Sequence, residues 1–133
     1  KITYPKDVSV GKNLKDIAKT KKLSDLDSSD LILDIGPETI EVIKSIIHTS
    51  KTILWNGPAG YFENLNFAKG SIEIAEKITS MKDDIYSVAG GGDTIAILNQ
   101  TKVVEQFNFI STAGGAFLEY LEGKEIPGIK ALN

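Results

Sequence analysis

Three glycine-bearing turns constrain the fold of this chain most strongly. They are WNGPAGYFE (residues 55–63), AGGGDT (89–94) and STAGGAF (111–117), and each lies between an apolar run typical of a β-strand and a helical pattern. In a parallel sheet the loops after the strands gather along one edge, where the helices that begin there direct backbone N–H groups and positive dipole ends outward. The sequence therefore predicts a phosphate-binding edge and indicates nucleotide or sugar-phosphate chemistry.

Strands and helices alternate along most of the chain, which is typical of an α/β fold with right-handed crossovers. Apolar runs predict strands at LILDIGP, KTILWN, DIYSVAG and FNFIST, and apolar residues at helical spacing predict helices over 38–49, 66–81, 94–100 and 115–121. We expect a three-layer, Rossmann-like arrangement in which a parallel sheet carries helices on both faces. Residues 1–30 hold two short extended segments, ITYP and DVSV, followed by a polar stretch, and this whole beginning is expected to be irregular and surface-exposed.

Length and composition narrow the classes of function. The 133 residues fit one domain, with 41% hydrophobic and 25% charged residues and a net charge of -3. No basic stripe is present to neutralise a nucleic-acid backbone, and no apolar run approaches the roughly 18 residues of a spanning helix. We therefore expect neither nucleic acid nor a membrane as partner. The chain has no Cys, which excludes disulfides and thiolate metal sites and is compatible with a reducing cytosol.

All 15 basic residues are Lys, and none is Arg. A bidentate guanidinium clamp on phosphate must therefore come from outside this chain. Within it, backbone amides, Lys side chains and a metal ion are left to hold an anion.

Two common nucleotide-binding fingerprints are absent. A dinucleotide motif that began at Gly90 would need a third glycine where Ile95 stands. A P-loop needs a glycine five positions before Gly-Lys, but Lys6 occupies that position before Gly11 and Leu118 occupies it before Gly123.

The AGGGDT turn is the best candidate for holding phosphates, because three consecutive glycines let backbone amides approach an anion closely. Asp93 stands where the next helix begins. It could cap that helix, or it could be a carboxylate ligand of Mg²⁺, which commonly takes one or two protein carboxylates and completes its shell with phosphate oxygens. Both roles can coexist. The STAGGAF turn adds a second helix start, suited to charge that develops on a transferring phosphoryl group.

Five segments, in their order and spacing, closely resemble the phosphoglycerate kinase family. They are DIGPET (34–39), WNGPAGYFE, FAKG (67–70), GGGDT (90–94) and STAGGAFLEYLEGKEIPG (111–128). The resemblance covers nearly the whole chain. It implies that residues 1–133 are the later part of the C-terminal, nucleotide-binding domain, an incomplete copy of that domain, and that the N-terminal domain, which binds phosphoglycerate, is missing.

The resemblance also implies roles for single residues. Glu63 would hydrogen-bond the nucleotide ribose, and Asp93 would hold the Mg²⁺ of MgADP or MgATP. Gly114 and Gly115 match the helix-start amides that meet the transferring phosphoryl group, and Asp34 matches an acid near the domain boundary. The residues that would line the nucleotide site or surround its phosphates are Asn56, Gly57, Pro58, Gly91, Gly92 and Thr94.

One position departs from the family pattern. Where the family usually has S-T-G-G-G-A, this chain has Ala113 at the first glycine. A Cβ atom disfavours a left-handed backbone, so such a conformation at Ala113 becomes doubtful. We expect the full protein to remain active with this change.

The activity implied by the resemblance is reversible phosphoryl transfer between 1,3-bisphosphoglycerate and MgADP in glycolysis, by a monomeric, cytoplasmic enzyme. The family's catalytic arginine belongs to the missing domain, so we expect the isolated chain to be inactive. Two alternatives remain: a truncated nucleotide-binding module without chemistry, and an α/β domain of an oxidoreductase, which the failed dinucleotide motif disfavours. A parallel sheet without its earlier strands would also expose an edge and an apolar face.

Overall fold

The computed structural model describes residues 2–132, so positions 1 and 133 of the predicted domain lie outside it. Among the described residues, none of the helices combines the length and apolar character that a bilayer crossing requires. The elements in chain order are β1 (Asp7–Gly11), β2 (Lys19–Lys22), β3 (Leu31–Ile35), α1 (Pro37–Thr49), β4 (Thr52–Asn56), α2 (Lys69–Thr79), β5 (Tyr86–Gly90), α3 (Gly92–Gln100), β6 (Phe109–Ser111), α4 (Gly114–Leu121) and α5 (Pro127–Lys130).

A parallel sheet in the order β4-β5-β6 forms the centre of the structure. Helices follow each of its strands, so the predicted α/β fold with a parallel sheet is confirmed. The predicted helix over 66–81 begins later, at Lys69, because residues Leu65–Phe67 form a separate 3-10 turn.

A second, antiparallel sheet in the order β2-β1-β3 contains the first predicted strand, LILDIGP. The expectation that this segment belongs to the parallel sheet is therefore wrong. Its partner is β1, which comes from the region expected to be irregular and exposed. DVSV is extended, as predicted, but Val8 and Val10 of β1 are each 2% exposed, so the expected surface exposure is wrong there. ITYP, also predicted to be extended, lies outside the regular strands. The short alternating run DVSV forms a strand here because β2 and β3 pair with it on either side and α1 packs against it.

The main core lies on one face of the parallel sheet. Trp55 and Ala89 point from β4 and β5 into a cluster with residues of α1, α2 and α3, among them Ile47, Ile78 and Leu98. Phe67 is fully buried and extends the packing towards the antiparallel sheet. Its ring lies against Gly11 of β1, because a Cβ added at Gly11 would come within 2.9 Å of the ring. Ile35 of β3 also packs against the main cluster, so the two sheets are in contact.

The opposite face of the parallel sheet is only partly covered. Leu54, Val88 and Phe109 are paired in register across β4, β5 and β6, so their side chains share this face. Phe117 of α4 packs against Phe109 with ring centroids 6.5 Å apart, whereas Leu54 remains 42% exposed. Helices thus lie on both faces of the sheet, and an exposed apolar face is present, as the sequence predicts.

A buried carboxylate joins β1 to the start of α1. Asp7 accepts hydrogen bonds from the backbone N–H groups of Glu38 (3.0 Å) and Thr39 (2.8 Å) and from the Thr39 hydroxyl (2.7 Å). Burial alone would raise the pKa of Asp7, but these hydrogen bonds to the ionised form outweigh it and hold the pKa below its ordinary value. The contact fixes the first turn of α1 against the antiparallel sheet.

Candidate functional site

The three glycine-bearing turns lie at the same edge of the parallel sheet. Asn56, Gly90 and Ser111 are in register at the carboxyl ends of β4, β5 and β6. The helices α3 and α4 begin at Gly92 and Gly114, directly after the second and third of these strands. Open α/β sheets bind ligands at this edge, and most of the predicted site residues come together here.

The turn before α3 leaves the first backbone donors of the helix without helical partners. Gly91 has φ +91°, which glycine adopts without strain, and it redirects the chain from β5 into the helix. The first intrahelical bond is donated by Ile95 to the Gly91 carbonyl (3.0 Å), so the amides of the preceding first turn, from Gly92 to Thr94, have no intrahelical acceptor. A Cβ added at Gly92 would meet no atom within 4 Å, which leaves open space beside these amides.

Thr94 is fully buried and ties α3 to the loop after β4. Its Oγ1 accepts a hydrogen bond from the Gly57 backbone N–H at 2.6 Å. The carbonyl of Gly57 in turn accepts a hydrogen bond from Trp55 Nε1 at 2.7 Å. The structure therefore places Thr94 at the base of the site, where its hydroxyl joins two loops and its backbone N–H belongs to the first turn of α3.

The start of α4 touches the turn before α3. A Cβ added at Gly114 would lie 3.4 Å from the Gly91 Cα, so the two turns are in contact. Ala113 has φ -81° and ψ -5°, in the right-handed region, and the positive φ of +41° belongs to Gly114. The alanine that departs from the family pattern is thus unstrained, and Gly115 continues the exposed first turn of α4.

Glu63 lies in the loop that follows β4. It lines a groove of about 520 Å³ between that loop and the segment that joins β1 to β2. Asn64 fastens the two sides together, because its Nδ2 donates to the carbonyls of Leu14 (2.8 Å) and Asp16 (3.2 Å). The lining residues are Leu14, Lys15, Tyr61, Glu63, Asn64 and Leu65. Sequence reasoning found Glu63 and missed Leu14 and Lys15, because the β1–β2 segment carries no motif. Tyr61 lies within the WNGPAGYFE motif, but sequence reasoning gave it no role.

The loop that carries Pro58 is held along its length by buried groups. The N–H of Ala59 donates to Ser71 Oγ (2.8 Å), and that of Tyr61 donates to the Leu33 carbonyl (2.7 Å). Gly60 lies against the Asp34 carboxylate, where an added Cβ would come within 2.5 Å of Cγ. The loop is therefore preorganised by contacts with β3 and α2.

Asp34 itself is 3% exposed and accepts a hydrogen bond from the Gly70 backbone N–H in the first turn of α2 (2.8 Å). Burial raises the pKa of this carboxyl, while its bonds from the Gly70 and Ile35 amides partly oppose the rise. Its contacts give it a structural role behind the loop rather than a place at the exposed edge.

The residues at the edge fit a metal ion that arrives together with phosphate. Within the described part of the chain, no group of three or more His, Cys, Asp or Glu side chains could enclose a metal. Asp93 supplies a single exposed carboxylate beside the first-turn amides of α3. One carboxylate is what Mg²⁺ commonly takes from a protein when phosphate oxygens complete its shell, so the donor set fits a metal nucleotide and not a free-standing metal centre.

Comparison with known proteins identifies the family of this chain. The family model for phosphoglycerate kinase matches residues 1–124. The phosphoglycerate kinase of Zymomonas mobilis is 45% identical over 136 residues, which cover 99% of this chain and 34% of that protein, and that of Francisella tularensis is 47% identical over 133 residues, which cover 98% and 33%.

Two solved structures support the same similarity. The phosphoglycerate kinase of Coxiella burnetii superposes with a TM-score of 0.89 at 40% identity, covering 98% of this chain and 34% of that one. The enzyme of Pyrococcus horikoshii superposes with a TM-score of 0.79 at 34% identity, covering 96% and 31%. The chain spans about a third of the length of the relatives that it matches.

Proposed function

Because the chain belongs to the phosphoglycerate kinase family, we propose that it is the nucleotide-binding part of an enzyme that transfers a phosphoryl group between 1,3-bisphosphoglycerate and MgADP, giving 3-phosphoglycerate and MgATP. The observation that carries this proposal is the contact between two helix starts, at Gly91 and Gly114, on the carboxyl edge of one parallel sheet. Two exposed helix N-termini that converge on one point favour a bound polyphosphate.

In this proposal the first-turn amides of α3 bind the nucleotide phosphates, and the lack of a side chain at Gly91 and Gly92 lets those phosphates approach. Asp93 holds the Mg²⁺ that comes with the nucleotide. When bound, that metal neutralises charge on the phosphate oxygens. The turn of Asn56, Gly57 and Pro58 forms the facing wall, which is kept in place by its hydrogen bonds to Trp55 and Thr94.

The groove beside Glu63 is the proposed place of the nucleoside. The Glu63 carboxylate is exposed, so it can accept hydrogen bonds from the two ribose hydroxyls. Leu14 and Tyr61 supply apolar and aromatic surface for the flat face of a base. The loop that runs from Asn56 to Glu63 would then connect the proposed phosphate and nucleoside positions.

The amides of Gly114 and Gly115 are proposed to meet the phosphoryl group as it moves. The chain has no Arg, so the bidentate guanidinium clamp that best neutralises charge on that group must come from outside it. We therefore expect the 133-residue chain to bind MgADP without turnover, and catalysis to require the phosphoglycerate-binding domain of the whole enzyme. We extend the proposal to a monomeric, cytoplasmic whole enzyme, on the strength of the family resemblance alone.

Calorimetric titration of MgADP into the purified, folded chain tests the proposal. We expect saturable binding that weakens about 10-fold or more in Asp93→Ala, because the variant loses a charged ligand of the metal. Asp83→Ala is the matched control, since it removes an exposed carboxylate just before β5, at the opposite end of that strand. A folded chain that gives no heat, or an Asp93→Ala variant that binds as the control does, would contradict the proposal.

Two further measurements separate the alternatives. NAD(H) in place of MgADP should give no binding, whereas binding of NAD(H) alone would favour the oxidoreductase. A coupled assay for ATP should show no turnover by the chain, and turnover by a mass-verified sample would overturn the expected inactivity.

A further inference from the structure

Gly57 lies between two hydrogen-bonding partners and has little steric support. Its φ is +100°, and a Cβ added there would meet no atom within 4 Å. Its carbonyl accepts from Trp55 Nε1, and its N–H donates to Thr94 Oγ1. A glycine in open space is conformationally free, so these two bonds set the orientation of its peptide groups.

Trp55 is the rigid end of this arrangement. Its side chain is 9% exposed and lies in the main core, where its ring is tilted against Phe107 with centroids 6.3 Å apart. The indole therefore has a fixed position, and its N–H points at the Gly57 carbonyl from inside the core. At the other end, Thr94 follows Asp93 directly in the first turn of α3.

On the assumption that the proposed nucleotide site is correct, we infer that Trp55 is a positioning residue for that site. The indole N–H fixes Gly57, and Gly57 fixes Thr94, so the orientation of the Asp93 turn is set from the core through two hydrogen bonds. Trp55 acts through its neighbours and does not touch the nucleotide.

The size of the effect follows from what is lost when the indole N–H is removed. A single hydrogen bond contributes about 0.5–1.5 kcal/mol net, so its loss corresponds to roughly a 2- to 12-fold change in an equilibrium constant. If that bond helps to preorganise the binding loops, the cost appears in MgADP affinity, because ligand binding must then order the loop.

Trp55→Phe tests the inference, because it keeps an aromatic ring in the core and deletes the donor. Phe107→Leu is the matched control, since it disturbs the same packing contact but leaves the indole N–H in place. We expect Trp55→Phe to weaken MgADP binding about 3- to 10-fold. Phe107→Leu should change MgADP binding less than twofold. Both substitutions should lower the urea midpoint.

NMR spectra of the ligand-free unsubstituted chain and of the two variants detect the positioning directly. In Trp55→Phe, the amide of Gly57 should exchange with solvent faster and the amide resonance of Asp93 should shift, whereas in Phe107→Leu both should stay as in the unsubstituted chain. A merely structural role for Trp55 predicts similar changes in the two variants.

Replacing the indole by benzothiophene offers a second variant if Trp55→Phe fails to fold. The chain has one Trp, so incorporation of β-(3-benzothienyl)alanine at tryptophan codons alters only position 55 and exchanges the N–H for sulfur within the same ring shape. The same loss of affinity and the same shift at Asp93 are expected.

Unchanged affinity and resonances in this variant, while the unsubstituted chain binds MgADP, would overturn the inference and leave the proposed function intact. No MgADP binding by the unsubstituted chain would instead overturn the nucleotide site and the role of Trp55 with it.

Discussion

Thr94 Oγ1 accepts a hydrogen bond of 2.6 Å from the backbone N–H of Gly57, a residue 37 positions earlier in the chain. The bond connects the first turn of α3 to the loop after β4, so two segments that the sequence presents as separate motifs form one unit. A residue that a motif places next to phosphate thus has its hydroxyl engaged within the protein. The geometry of the edge therefore depends on a hydrogen bond between the two turns themselves.

Thr94→Val is expected to lower the free energy of unfolding by about 1–2 kcal/mol, because the Gly57 N–H loses its acceptor while the shape of the buried side chain is kept. Urea unfolding of the purified chain measures this loss. Thr94→Ser, which keeps the acceptor, should lose less. Equal midpoints for the unsubstituted chain and Thr94→Val would show that the bond contributes nothing to stability.

Gly60→Ala is expected to be among the most destabilising single methyl additions in this chain. The new Cβ would lie 2.5 Å from Asp34 Cγ and 2.5 Å from the Phe67 carbonyl oxygen, and the latter is backbone that cannot rotate away. Overpacking of this kind costs about 1–3 kcal/mol. Gly128→Ala provides the control, since no atom lies within 4 Å of its added Cβ. Thermal unfolding should separate the two, and equal melting temperatures would contradict the close packing at Gly60.

The contribution of Asp7 to stability should depend on pH. Its pKa in the folded chain is held below the ordinary value of 3.8, so its ionised form stabilises the fold above that value, and the contribution is lost as pH falls through the lower folded pKa. Asp7→Asn should therefore destabilise the chain most at neutral pH, and the gap to the unsubstituted chain should narrow below pH 3.8. Urea unfolding at a series of pH values measures this gap, and a gap that is constant with pH would refute the assignment.

The alternation of strands and helices could be predicted because it depends on local periodicity. The spacing of Ile40, Ile43, Ile46 and Ile47 predicts an apolar helical face. Ile40 and Ile47 are indeed buried in α1, whereas Ile46 remains 45% exposed. The partner of β3 could not be predicted in this way. An apolar run indicates that a strand is buried, but not which strand lies beside it, and here the neighbour is the short β1 segment.

The location of the candidate site was predictable for a related reason, since turns that follow parallel strands share one edge. The contacts within it were not. The bond between Thr94 and Gly57 and the groove that brings Leu14 beside Glu63 both join segments far apart in sequence. Such pairings depend on how the two sheets pack together, and no periodic pattern in the chain encodes them.

Gly114 and Ala113 offer a test of where the backbone of the α4 turn needs glycine. Gly114 has φ +41°, so Gly114→Ala should cost about 1–2 kcal/mol of stability, the usual penalty for a Cβ in left-handed backbone. An added Cβ would lie beside the Gly91 Cα at 3.4 Å, so a shift of the backbone at Gly114 should also lower any nucleotide affinity. Ala113 is right-handed, with φ -81°, so Ala113→Gly should bring no gain and should lose up to about 1 kcal/mol through greater freedom of the unfolded chain. Gly115→Ala, with open space around its added Cβ, controls for the extra methyl group.

Urea unfolding of the three variants should rank Gly114→Ala lowest in stability. A stabilising Ala113→Gly would instead place the strain at the position where this chain departs from its family.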